Sequence, residues 1–191
     1  MLSTMVATSC QMDRSEYNLH RAKSSKGHQC RRNSMKIIKI TGAINSPKYD
    51  HWKSQWEDKS ELDEFSYVSD VVNPEDALMF CKVLFPDFVF HESGVFLESR
   101  FTVEAFSSWM ATCNNDVAAV EKVLNHMHLY DVFGGCREQV DEAVYEQLCR
   151  IVAQSWRMVL LSKFPEKKFC VQAIVSDQEY GPVVTFSQVR E

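Results

Sequence analysis

His126-Met127-His128, followed by Asp131, is the part of this chain best suited to holding a metal ion. Two imidazoles and a carboxylate are donors that a borderline ion such as zinc accepts. Whether they can act together depends on local structure. Residues two apart point to different faces of a helix, but to the same face of an extended strand. The apolar spacing before them predicts a helix over 116–128. On that reading the histidines diverge, and His128 is a helix-end cation favoured by the helix dipole. No metal ligand is therefore assigned.

Cys136 is the second candidate. It follows Gly134-Gly135 and precedes Arg137, a place where the N-terminus of the next helix could stabilise a thiolate. With His126 or His128 it would make a Cys–His nucleophile. No signature of a thiol protease or transferase surrounds it, so an ordinary loop cysteine is the simpler reading. Glu98, Glu104, Glu121, Asp131 and Glu142 show no spacing that demands a carboxylate pair. Gly134-Gly135 fits neither phosphate-loop nor dinucleotide patterns. No catalytic residue and no cofactor is assigned.

A third group looks like a binding surface. Trp52 and Trp56 lie beside Glu57, Asp58, Glu61, Asp63 and Glu64. Aromatic anchors ringed by acids suit the interface for a basic protein. Trp52, Trp56, Glu57, Asp58, Glu61 and Glu64 are the expected partner-binding residues. A surface loop whose tryptophans tuck into the core is the open alternative.

The chain of 191 residues changes character at Met35. Before it lie six basic and two acidic side chains; from it onward there are 15 basic and 24 acidic. Residues 1–34 are expected to be a disordered basic leader, too poor in apolar surface to offset chain entropy. A spurious extension with the true start at Met35, a natural flexible tail and a mitochondrial-type presequence all remain open. Asp13 and Glu16 count against the last, and no signal peptide is recognised. Residues 35–191 read as one domain. The acidic domain argues against specific nucleic-acid binding, and no apolar run nears the roughly 18 residues of a membrane span. Seven cysteines without a C-x-x-C pair suggest free, buried thiols and a cytoplasmic location.

The elements that position these residues follow from local signals. Lys36–Thr41 reads as a strand closed by Gly42. Residues 43–72 read as a long loop with a helical turn or two; because so long a loop is unusual in a compact domain, a functional loop and an unrecognised element both remain open. Asn73 caps a helix that begins at Pro74, turns Ala77, Leu78, Phe80, Cys81 and Leu84 inward, and stops before Pro86. Phe88–His91 and Val95–Glu98 form a hairpin with Gly94 in its turn. Thr102 caps a helix to about Thr112, and Asn114 or Asn115 caps the helix over 116–128, with Val117, Val120, Val123 and Leu124 on one stripe. A wide apolar stripe marks a helix from Val140 to Lys163. Phe169–Val175 and Val183–Ser187 form a second hairpin. Leu84-Phe85-Pro86 and Lys163-Phe164-Pro165 echo each other, so a duplicated helix–hairpin unit is one open reading. The sum is a two-layer α+β fold: an antiparallel sheet of four to five strands packed against about four helices.

The blocks Asn125–Asp131, Trp156–Pro165 and Val184–Gln188 resemble a set of small uncharacterised bacterial proteins over roughly Val71 to the C-terminus. That resemblance implies no activity and no site residues. In size and charge alone the domain is similar to bacterial immunity proteins. The expected function is a non-enzymatic protein-binding module, with an immunity-like inhibitor of a basic partner as one form. A small thiol-dependent enzyme using Cys136, and a structural subunit of a larger assembly, are the alternatives. The oligomeric state is left undetermined.

Overall fold

Two helices, both short, occupy the stretch that the sequence presents as a loop. The computed structural model describes residues 38–190. α1 (Pro47–Ser54) starts where Ser46 accepts the Tyr49 N–H and proline fills the first helical position. α2 (Glu64–Val71) starts at a reciprocal cap between Asp63 and Ser66. The described residues of the expected first strand, 38–41, carry no strand. Its first residues and the leader 1–34 lie outside the described residues. The segment from 40 to 48 instead runs along the later helix, held by Asn45 on Gln147 and by Lys48 paired to Glu138.

α3 (Pro74–Leu84) begins on the Asn73 cap as expected. Its inward face is Ala77, Phe80, Val83 and Leu84, whereas Leu78 is 63% exposed and Cys81 is exposed. β1 (Phe88–His91) and β2 (Gly94–Leu97) form the first hairpin, with His91 opposite Gly94. The turn is Glu92-Ser93, both left-handed at φ 44° and 69°. Gly94 is not in the turn; it opens β2, where a Cβ would sit 2.5 Å from the Phe96 ring.

α4 (Val103–Thr112) follows on the Thr102 cap. α5 (Val117–Leu124) is capped by Asp116, while Asn114 and Asn115 take left-handed turn positions before it. It ends well short of the expected His128. β3 (Met127–His128), α6 (Leu129–Val132) and the long α7 (Glu142–Lys163) come next, then β4 (Phe169–Ile174) and β5 (Val183–Gln188).

The strands form two sheets, not one. β1 pairs with β2, and separately β5 lies between β3 and β4, antiparallel to both. The reason lies on α5. In the β1–β2 register, Val95 and Leu97 turn their backbone groups away from β1. Glu121, fully buried, accepts from Val95 N at 2.7 Å and Gln188 N at 2.6 Å. Asn125, also fully buried, accepts from Leu97 N at 2.8 Å and donates to the carbonyls of Val95 and Phe186 at 3.0 and 3.2 Å. These two side chains thus take the hydrogen bonds that a joining ladder between β2 and β5 would need.

The main core lies between α7 and the β4–β5 pair. Cys149, Val152, Trp156 and Leu160 are buried there with Val171, Val184 and Phe186. Trp156 Nε1 donates to Val83 O at 2.8 Å and Ser155 Oγ to Leu84 O at 2.6 Å, so α7 satisfies carbonyls at the end of α3. Phe96, Phe106, Val120 and Leu124 form a second cluster, and Val123 of the expected stripe is 36% exposed. Of the thiols expected to be buried, Cys149 is; Cys81, Cys136 and Cys170 are exposed, and Cys113 is half-buried. Both Phe-Pro joints share one backbone geometry, Phe85 at φ −128°, ψ 69° and Phe164 at φ −132°, ψ 61°. Among the described residues no helix is long and apolar enough to cross a membrane.

Candidate functional site

The predicted aromatic–acidic segment folds into α1, α2 and the loop between them. Trp52 is buried, its Nε1 donating to Asp70 Oδ2 at 2.7 Å. Its ring stacks on Tyr49 and meets Tyr67 edge-on at 5.3 Å. Trp52 therefore locks α1 to α2 and is not available to a partner. Trp56 packs on it at 5.8 Å yet stays 46% exposed. Lys53 closes the intervening loop through Leu62 O at 2.7 Å.

All four expected acids are exposed. Asp58 is engaged locally, accepting from the Ser60 N–H and hydroxyl at 2.9 and 2.7 Å, which holds its carboxyl below the usual range. Asp63 is held down in the same way by Ser66. Glu57, Glu61 and Glu64 make no ion pair among the described residues. On α2, Tyr67 and Asp70 face α1, while Phe65, Val68 and Val71 point outward at 83%, 51% and 43% exposure. Beside them opens a cleft of about 650 Å³, walled by Ile40, Ile44, Tyr49, Tyr67 and Val68, with Lys39 and Glu64 adding charge. Sequence reasoning missed Phe65 and Val68 because the segment was read as loop, where helical spacing carries no meaning.

The histidines form the other cluster. Asn125 ends α5, and its side chain is spent on the strands on either side. The chain then becomes extended at β3, which pairs with Val183 and Val184. His126 and His128 consequently share a face, Met127 points the other way into the core, and the two Nε2 atoms stand 3.1 Å apart. The expected divergence on a helix is thus overturned by the earlier helix end. Asp131 is not their companion. Glu179, from the loop between β4 and β5, lies 3.9 Å from His126 Nε2, and the three potential donor atoms fall within 4.8 Å of one another.

That loop is built to come back. Gly181 adopts φ +76° and lies under the Tyr130 ring, where a Cβ would sit 2.5 Å from a ring carbon. Leu129 N donates to Pro182 O at 2.9 Å, and His128 Nδ1 meets Tyr180 O at 2.9 Å. Because a carbonyl only accepts, His128 Nδ1 is the donor in that contact, and the ring turns Nε2 toward His126. Burial, reinforced by the neighbouring His128, holds His126 below the usual histidine range.

Cys136 is exposed, its sulfur 3.7 Å from the Glu138 carbonyl, with neither histidine among its hydrogen-bond partners. The helix after it starts only at Glu142, capped by Asp141. Of the scattered carboxylates, Glu121 is the buried bridge already described, while Glu98, Glu104, Asp131 and Glu142 are exposed. The chain matches no protein-family model, no curated protein and no solved structure.

Proposed function

We propose that this domain is a non-enzymatic protein-binding module that receives a basic partner on the outer face of α2 and the adjoining cleft. The observation that carries this reading is the stripe Phe65, Val68 and Val71, exposed to 83%, 51% and 43% on a helix whose opposite side is already packed. Large apolar side chains aligned on one exposed helix face favour association. The cleft is of a size to take bulky apolar side chains from the partner.

Charge selects the partner. The chain from Met35 onward carries nine more acidic than basic side chains, and Glu57, Glu61 and Glu64 lie just before the stripe along the chain. Acid of this density speeds encounter with a basic protein, while the apolar anchors supply affinity. An immunity-like inhibitor is one form of such a module. The experiment is capture from the native host on the full chain, run beside Phe65→Ser at low and moderate salt. A basic protein held near stoichiometry by the wild type, weakened by salt and lost by Phe65→Ser, supports the reading. Recovery unchanged by the substitution, or no basic protein recovered, refutes it. Self-association through the same face would show as concentration-dependent sedimentation of the wild type that Phe65→Ser abolishes.

A further inference from the structure

We propose that His126, His128 and Glu179 bind one divalent transition-metal ion of borderline softness, zinc being the best fit. The inference goes beyond partner binding and does not rest on it. Around a tetrahedral ion with bonds of about 2.0–2.2 Å, neighbouring donor atoms stand roughly 3.3–3.5 Å apart. The two Nε2 atoms are already at 3.1 Å. Glu179, 3.9 Å from His126 Nε2 in a donor set that spans up to 4.8 Å, needs to draw in by on the order of 1 Å, a movement open to a long side chain on a turn.

The surroundings prepare the donors. His128 Nδ1 donates to Tyr180 O at 2.9 Å, the outer contact that fixes a ligand histidine's ring and turns Nε2 toward His126. An ion needs a lone pair on both Nε2 atoms, so a proton held between them leaves for His126 Nδ1 or for water as the ion enters. Two nitrogens and one carboxylate suit zinc or its neighbours better than calcium or magnesium, which require shells of oxygen. Arg100 and Lys122 add positive potential near His126, which opposes a cation, so affinity must come from the two imidazoles and the Glu179 carboxylate. Three protein ligands leave one position open. Once bound, the ion would tie the Glu179 loop to β3.

The test uses the full chain, stripped by a chelator, then titrated with Co²⁺ alone and followed by absorption. The expected result is one equivalent bound, with d–d bands, no thiolate charge-transfer band, and displacement by Zn²⁺. Glu179→Gln and His126→Gln should each weaken binding by at least about tenfold, while Asp131→Asn leaves it unchanged. Glu179 is on a surface turn, so Glu179→Gln decides the matter even if His126→Gln fails to fold. A thiolate band would assign the metal to cysteines and overturn the proposal. So would unchanged affinity in Glu179→Gln, or no Co²⁺ or Zn²⁺ bound at millimolar concentration.

Discussion

Replacing Asn125 by leucine should cost about 3 kcal/mol of stability, even though the new side chain is apolar, similar in size and placed in a fully buried site. Three bonds disappear together: Leu97 N–H at 2.8 Å, Val95 O at 3.0 Å and Phe186 O at 3.2 Å. An orphaned buried N–H costs about 1–3 kcal/mol, and an under-satisfied carbonyl somewhat less. Extra apolar burial returns about 1 kcal/mol. The net loss is a large part of the 5–15 kcal/mol typical of a domain. In urea, with a slope of about 2 kcal/mol per molar, the midpoint should fall by roughly 1.5 M. Hydrogen exchange then locates the damage: the amide of Leu97 should lose protection, while Val95, still held by Glu121, and Gly94 and Phe96, which face β1, keep theirs. Asn125→Asp, which retains the acceptor but sets a carboxylate against two carbonyls, should be at least as harmful. A neutral or stabilising Asn125→Leu would refute the view that α5 side chains stand in for strand pairing.

Gly181→Ala should destabilise the protein by about 1–2 kcal/mol or more in chemical denaturation, since φ is +76° and the new methyl would meet the Tyr130 ring at 2.5 Å. Burial pushes the Cys149 thiol up to about 11. The folded state therefore holds a proton that the unfolded state releases above about pH 9, so stability is full below that and falls as pH rises towards 11. The loss should be on the order of 2 kcal/mol, and Cys149→Ala should remove this part of the slope, as equilibrium denaturation across that window would reveal. In alkylation of the native protein, Cys81, Cys136 and Cys170 should react well before Cys149, as mass spectrometry of labelled peptides would show. Trp52→Phe should loosen α1 and α2 by about 1–2 kcal/mol, because it deletes the Asp70 bond. Phe65→Ser should leave the melting temperature nearly unchanged, and differential scanning calorimetry would separate the two.

The parts legible in the sequence were those fixed by neighbours along the chain. Asn73-Pro74, Thr102 and the apolar repeat of α7 act within a few residues, and the corresponding helices stand where these signals put them. Ser46-Pro47 and the Asp63–Ser66 pair are signals of the same kind, but helices of eight residues offer too little periodicity to draw attention. The end of α5 was illegible for a different reason. It is set by bonds from Asn125 to partners 28, 30 and 61 residues away. The same event decides where the histidines point, and Glu179 joins them from the far side of α7. Asp131, nearer in sequence, looked the better companion only because distance along the chain was the sole measure. The split into two sheets is equally non-local, since Glu121 and Asn125 read from the sequence as an unremarkable acid and a turn residue.

The cover that α5 gives to β2 and β5 also governs how copies of the molecule behave toward one another. A strand with open N–H and C=O groups is a template on which another chain can add itself. Here the shield is two side chains rather than a strand, so it is lost whole when α5 lifts away, with both hairpins still formed. Such a species would present two raw edges at once, in apolar surroundings supplied by Val95, Leu97 and Phe186. Undocking of this one short helix would therefore uncover strand edges that nothing else among these bonds protects.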